Sequence, residues 1–358
     1  MRYIGNKTKL LAFLDAKLRK LGILPGVAHD AFAGTAAVGR ALKANGWCVH
    51  SSDLMTYSYV MQRAYVVASQ VERFEALADA LPSIGRADGA ADRLASVANH
   101  LSTGVPARDG FFARNFGPAG GRMYFTDDNA RRIDAARTTL HEWHTAGLVS
   151  DDAFYVLLAA IIEGADRVAN TAGVYAAYIK QWQPNALRSF SVSPEQPLAS
   201  GAPCAAYQAD AMHVAGDLGE IDLLYVDPPY NARQYAGYYH VPELIARGWF
   251  GDDVALRGKT GLIADGDQRS AWCSKRHAPD ALRGLLAATG ARHVLVSYNS
   301  EGVIADRELR AILRDAAVDG TEQRFTKRYK RYRADSDREG RRYKGDEVKE
   351  LLYYARLR

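Results

Sequence analysis

Residues 27–53 hold the stretch that most narrows what this chain can become. Val27-Ala28-His29-Asp30-Ala31-Phe32 reads as a short buried strand, Gly34 follows at once, a helical pattern runs from Ala36 to Asn45, and Gly46 ends it. Trp47-Cys48-Val49-His50 reads as the next strand and terminates at Ser51-Ser52-Asp53. Strand, helix and strand in so short a span make a βαβ unit, whose strands lie parallel and whose helix covers one face of the sheet. The glycine turn allows close backbone approach, and the acid about twenty residues on suits ribose hydroxyls, so the unit reads as a nucleoside site. Ala36 stands where a full phosphate cradle would carry a second glycine, and its Cβ restricts positive φ there. A ligand without phosphate, such as S-adenosylmethionine, is therefore favoured over a dinucleotide.

Further strands follow by pattern. Ala205-Ala206-Tyr207-Gln208 leads to Asp210, and the apolar run Ile221-Asp222-Leu223-Leu224-Tyr225-Val226 ends in Asp227-Pro228-Pro229-Tyr230. A helix over Asp280 to Thr289 precedes His293-Val294-Leu295-Val296-Ser297, and Val348 to Ala355 makes a final strand. Alternation of this kind predicts an α/β fold with a mainly parallel sheet. The four residues closing the run at Val226 carry the chemistry. Two prolines fix the backbone and remove two N–H groups, so the peptide there only accepts hydrogen bonds. An exocyclic amine on a planar ring could give one hydrogen to Asp227 and the other to the Pro228 carbonyl, while Tyr230 stacks on the ring. Adenine fits that description. Taken alone, however, Pro228-Pro229 could merely stop a strand and Tyr230 cap the core.

Composition removes several classes of function. With 358 residues and 48% hydrophobic content the chain can build a real core. No segment reaches the ~20 apolar residues that span a bilayer, and Met1-Arg2-Tyr3-Ile4-Gly5-Asn6-Lys7 lacks the apolar stretch of a signal peptide, so a cytoplasmic protein is expected. Cys48, Cys204 and Cys273 are scattered and odd in number, which argues against a disulfide framework and against zinc. His141 and His144 have no cysteine nearby and read as surface helix residues; no metal is expected. The net charge of +5 is uneven: Arg324 to Lys344 holds ten Lys or Arg against Asp335, Asp337 and Glu339, a local charge of +7. Interleaved with Tyr329, Tyr332 and Tyr343, this segment suits a phosphate backbone, the alternative being a solvated hairpin.

Between about Arg73 and Ser200 the texture changes to alanine-rich helical segments, notably Asp128 to His144 and Asp151 to Ala169, with glycine- and arginine-rich stretches around Asp109 to Arg122. The expected domain plan is residues 1–72 and 201–358 as one discontinuous domain, with 73–200 inserted. Within the insertion, Asn170 to Lys180 carries aromatics and a lysine on a loop or strand, readable as core packing or as a functional contact through Tyr178 and Lys180.

The order of parts resembles the alpha-group adenine-specific DNA methyltransferases, the group of the Dam-type and FokI-type modification enzymes. The resemblance rests on Tyr3-Ile4-Gly5-Asn6-Lys7, Phe32-Ala33-Gly34-Thr35, Asp53, a long insertion, Asp210 and Asp227-Pro228-Pro229-Tyr230. Asn231-Ala232-Arg233-Gln234-Tyr235 and Ser297-Tyr298-Asn299-Ser300-Glu301-Gly302 extend it. It implies a Rossmann-like S-adenosylmethionine-dependent methyltransferase sheet with an inserted, mainly helical second domain that reads the DNA sequence. It implies that Tyr3 and Lys7 help bind the methionine part of S-adenosylmethionine, and that Phe32 and Gly34, with Asp30 and Thr35 beside them, form the wall and turn beneath it. Asp53 would take the ribose hydroxyls, Asp210 would contact the cofactor's adenine, and Asp227 would face both cofactor and target. Arg233, Tyr178, Lys180, Lys327, Arg328, Lys330 and Arg331 are the candidate contacts to double-stranded DNA, and a cognate restriction endonuclease is the implied partner.

The amino lone pair of adenine is delocalised into the ring until acceptors hold its hydrogens out of plane. A carboxylate with an ordinary pKa near ~3.9 is too weak a base to deprotonate a neutral amine first. Asp227 can instead stabilise positive charge developing on nitrogen as the methyl arrives, by direct in-line transfer. The base must first leave the duplex, at a cost of a few kcal/mol. Stacking returns about 1–3 kcal/mol, and a charged hydrogen bond about 1.5–3 kcal/mol. An N6-adenine methyltransferase acting on RNA remains open, because Asp-Pro-Pro-Tyr selects an amine and not a polymer. So do a catalytically silent DNA-binding module and a small-molecule enzyme on the same sheet, though the three intact acids and the basic segment weigh against them.

Overall fold

Seven strands form one sheet, whose central strands Glu220–Val226 and Gly290–Asn299 are buried on both faces, as parallel central strands require. A computed structural model of the chain describes residues 1–250, 254–263, 268–330 and 347–358. The strands are β1 (Val27–Asp30), β2 (Cys48–Asp53), β3 (Ala205–Gln208), β4 (Glu220–Val226), β5 (Gly290–Asn299), β6 (Gln323–Lys330) and β7 (Glu347–Arg356). Their order across the sheet is β3-β2-β1-β4-β5-β7-β6. β1 to β5 pair in parallel, whereas β7 pairs antiparallel with both β5 and β6.

The chain moves outward from β1 to β2 and β3, then returns to lay β4 on the other side of β1. Strand order therefore reverses between β1 and β4, and ligands of open α/β sheets bind in the crevice outside the carboxyl ends at such a reversal. Asp30 pairs in register with Tyr225, two residues before Asp227, so both acids reach that crevice. Because β7 runs the other way, its first residues lie at the carboxyl end of β5, with Glu350 opposite Asn299.

One face of the sheet buries Leu224, Val226, Val294, Val296, Leu351 and Tyr353 against Leu282 and Leu285 of helix Ala278–Ala288 and Leu309, Ile312 and Leu313 of helix Asp306–Ala316. On the other face helix Leu11–Lys20 brings Leu11 and Leu14 to a small apolar cavity shared with Tyr225, Ser297, Glu350 and Leu352. The mainly parallel α/β sheet agrees with the sequence pattern. β6 does not appear in that pattern, since Gln323 to Lys330 reads as a charge run; it is an edge strand, where positive side chains deter pairing with another chain.

By Cα proximity the chain divides into two units: Lys7–Leu54, Ala202–Tyr235 and Gly266–Arg358, which hold the sheet, and Met1–Asn6, Met55–Gly201 and Ala236–Asp265. In the latter, helices Asp127–Thr145 and Asp151–Val168 start where Thr126 and Ser150 cap the amides of Asn129 and Ala153, with two aspartates in each first turn. Arg2 closes the end of the second helix, donating to the carbonyls of Asp166, Ala169 and Thr171. His141 and His144 are half-buried rather than superficial: they stack on Phe250 and Phe154, and His144 bonds Asp151 at 2.7 Å.

Candidate active site

The turn after β1 is built by two acids. Asp53 at the end of β2 accepts the amide of Gly34 at 2.9 Å, and Asp30 at the end of β1 accepts the amide of Gly39 at 3.0 Å. Gly34 takes φ +53° and Ala36 takes φ +58°, so this chain adopts the left-handed conformation at Ala36 despite its Cβ. That costs about 1–2 kcal/mol, and the hydrogen bonds of the turn hold it. Phe32 is half-buried and meets Trp272 edge to face with ring centroids 4.9 Å apart; Thr35 is half-buried beside it. Asp210 caps helix Ala211–Asp217 through the Met212 amide at 2.9 Å.

Asp30 is 1% exposed, and its Oδ1 accepts no hydrogen bond. Burial first, then the nearby Asp227 carboxylate, pushes its pKa up to about 7. Asp227, 13% exposed, is likewise pushed up to about 7, chiefly by burial, with Lys7 opposing and Glu350 reinforcing the shift. Lys7 is 5% exposed and lies between the two carboxylates: Nζ is 2.9 Å from Asp227 Oδ1 and donates to Glu350 Oε1 at 2.7 Å. It also lies 5.5 Å from the centroid of the Tyr230 ring. Burial alone would lower the Lys7 pKa, but Asp227 and Glu350 raise it well above the usual lysine value, so it stays charged. Ser297 donates to the same Glu350 oxygen at 2.7 Å.

Beyond the motif, Gln234 acts like a length of backbone. Its amide nitrogen donates to the Ser270 carbonyl at 3.1 Å and its oxygen accepts the Ser270 amide at 2.8 Å, fixing the segment that follows Tyr230. Asn231 accepts the Arg233 amide at 3.0 Å, and Arg233 is exposed.

The sheet unit thus gathers Lys7, Asp30, Phe32, Gly34, Thr35, Asp53 and Asp210, with Asp227, Pro228, Pro229 and Tyr230, at or near the carboxyl ends of its strands. Tyr3 belongs to the other unit, where it packs on Tyr239 at 4.7 Å and accepts from the Tyr57 hydroxyl at 3.2 Å. Tyr178 and Lys180 lie there too, on a loop that Asn170 pins by donating to Met123 and Ile179 carbonyls; Tyr178 is half-buried and donates to Gly121, and Lys180 is exposed. Lys327 on β6 donates to the Lys9 carbonyl at 3.1 Å. The side chains of Arg328 and Lys330, and the whole of Arg331, lie outside the described residues, as does most of the basic segment. The sequence reading missed Glu350; the available signal was one acid inside the apolar strand Val348 to Ala355. Among the described residues no cluster of three potential metal ligands occurs, and no helix is long and apolar enough to cross a membrane.

Comparison with known proteins bears on the same residues. The family model of the D12 class N6 adenine-specific DNA methyltransferases matches residues 3–262. The type II methyltransferase M.NlaIII of Neisseria lactamica is 34% identical over 99% of this chain and 98% of its own length. M.FokI of Planomicrobium okeanokoites is 31% identical over 99% of this chain, which spans 52% of that longer protein. M.CviAII of Paramecium bursaria Chlorella virus 1 is 29% identical over 99% of this chain and 97% of its own length. A match across most of the chain, with the Asp-Pro-Pro-Tyr strand end inside it, means that this chain belongs to the D12 class of N6 adenine-specific DNA methyltransferases.

Proposed function

We propose that this protein methylates the N6 amine of a flipped adenine in double-stranded DNA, with S-adenosylmethionine as donor, as the modification half of a restriction-modification system in the cytoplasm. The observation that carries the reading is Asp227 beside the Pro228 carbonyl at the carboxyl end of β4, next to the nucleoside-type turn after β1.

The donor fits the residues present. Asp30 Oδ1 is buried and accepts no hydrogen bond, and Asp30 and Asp227 are two carboxyls forced toward neutrality by burial, with Asp227 adding to the shift of Asp30 and Glu350 to that of Asp227. A ligand bearing positive charge relieves both. Lys7, Asp30, Phe32, Gly34, Thr35, Asp53 and Asp210 would hold it. When bound, S-adenosylmethionine supplies an activated methyl group. Asp227 and the Pro228 carbonyl accept the two amine hydrogens, turning the nitrogen lone pair out of conjugation, and the carboxylate then balances charge developing on nitrogen. Pro229 keeps that backbone rigid, and Tyr230 stacks on the base.

We further propose that the inserted residues 73–200 read the DNA sequence, with Tyr178 and Lys180 among their contacts. Arg233 and the basic segment through Lys327, Arg328, Lys330 and Arg331 would hold the phosphate backbone. Arg233 is exposed directly after the motif, which supports its part. The modification methyltransferases among the relatives support a cognate endonuclease as partner.

The test is methyl transfer from labelled S-adenosylmethionine to unmethylated duplex DNA, with structured RNA in parallel, followed by nucleoside mass spectrometry and an Asp227→Ala control. N6-methyladenine in DNA that depends on Asp227 is the expected result. Label in RNA alone would move the substrate to RNA, and binding without transfer would make the protein a silent module.

A further inference from the structure

Glu350 has no role in the chemistry derived above, yet it is 2% exposed and faces the group that does. It enters from β7, the strand whose reversed direction brings its start to the carboxyl end of β5. There its Oε1 accepts both the Lys7 ammonium and the Ser297 hydroxyl at 2.7 Å. The same ammonium lies 2.9 Å from Asp227 Oδ1, so Lys7 bridges the two carboxylates, and Glu350, itself held by Ser297, fixes where the ammonium sits.

We propose that Glu350, held by Ser297, is a positioning residue for methyl transfer: it anchors the Lys7 ammonium at one oxygen of Asp227, so that the other oxygen remains an acceptor for the substrate amine. The proposal rests on the reading of Asp227 as the amine acceptor. Without Glu350 the ammonium would lose its second anchor, turn fully toward Asp227 and compete with the amine for the remaining lone pairs. The charged and titratable groups facing Asp227 are Lys7 from the N-terminal segment, Asp30 from β1, Tyr225 from β4 and Glu350 from β7, while the Tyr230 ring faces Lys7. Of these, Glu350 adds negative charge that opposes Asp227 ionisation. Its neutralisation should make Asp227 more acidic and its amine binding worse, a pairing that general loss of structure does not produce.

The experiment has two readouts. In protein free of cofactor and DNA, carboxyl-13C aspartate labelling follows the Asp227 titration by NMR, with Asp227→Asn identifying the resonance. Glu350→Gln should lower the midpoint by a pH unit or more from its wild-type value, and Glu350→Asp, which keeps the charge, should return it most of the way. In single-turnover methylation of duplex DNA, the acidic limb should move down with Glu350→Gln while the plateau rate falls at least tenfold. An unchanged midpoint in Glu350→Gln, or an unchanged plateau rate, overturns the proposal. Should Glu350→Gln fail to fold, Glu350→Asp decides: withdrawal of the carboxylate by one methylene should reduce the plateau rate severalfold, and a wild-type rate overturns the idea. An inactive wild-type enzyme would instead sink the methyltransferase reading, and the NMR titration would still report whether Glu350 and Asp227 are coupled.

Discussion

Asp227 holds a carboxylate in a place where burial resists ionisation, and this sets how the enzyme should depend on pH. With its pKa pushed up to about 7, the acceptor form is lost as pH falls through neutrality. Single-turnover rates without a saturating donor should fall tenfold for each pH unit below about 6; a flat profile from pH 5 to 8 would contradict this. Asp227→Asn keeps the shape and one acceptor but loses the charge, and should reduce the rate by at least ~10²–10³-fold, the usual consequence of removing an electrostatic group aimed at a transition state. Asp30 gives a stability prediction. Its folded pKa, pushed up to about 7, exceeds that of an unfolded aspartate, so the folded state binds the extra proton between about pH 4 and 7 and stability from this group falls as pH rises through that window. Asp30→Asn should therefore stabilise the ligand-free protein at pH 8 by on the order of 1–3 kcal/mol, with the gain vanishing near pH 4. Thermal unfolding at the two pH values measures it, and equal shifts at both would refute it.

Among the elements, the turn after β1 tests how well sequence reasoning handles backbone. Alanine at position 36 argues against positive φ, yet the turn adopts φ +58° because the Gly34 amide, the Ala33 carbonyl and the Asp30 carboxylate fix the chain on both sides. Ala36→Gly relieves about 1–2 kcal/mol of strain but loses a buried methyl worth ~0.8 kcal/mol and some chain stiffness, so its stability should stay within about 1 kcal/mol of wild type. Ala36→Val, β-branched at the same φ, should cost more than ~2 kcal/mol; denaturant midpoints distinguish them. The βαβ unit and the strands into Asp210 and Asp227 were legible because apolar runs, glycine and proline mark their ends. β6 was not, since Arg324, Lys327, Arg328 and Lys330 crowding Phe325 and Tyr329 read as charge before they read as an edge strand. Glu350 was illegible for another reason: its partner Lys7 lies 343 positions away, and only the antiparallel placement of β7 joins them.

At the scale of the whole molecule, charge is the property that reaches beyond the site. The net +5 arises from a segment of +7 on an otherwise slightly acidic chain, so non-specific DNA affinity should depend on that segment and fall with salt. Replacing Arg328, Lys330 and Arg331 with glutamine should flatten the slope of log affinity against log salt by up to ~0.9 for each contact removed. Binding of the cofactor should be unaffected. An unchanged slope would remove the segment from the DNA interface. The folding of the sheet is also a whole-chain property, because β1 pairs with β4 across almost two hundred residues and Lys7 bonds β7 at the far side of the sequence. Such distant pairings make folding slow.

That same bond sets an order of events during synthesis. A ribosome delivers the Lys7 ammonium among the first residues and its second carboxylate 343 residues later. A chain stopped short of residue 350 would lack that carboxylate and, with it, most of the strand that joins β5 to β6, so the anchor of Lys7 and the closing of the sheet arrive together.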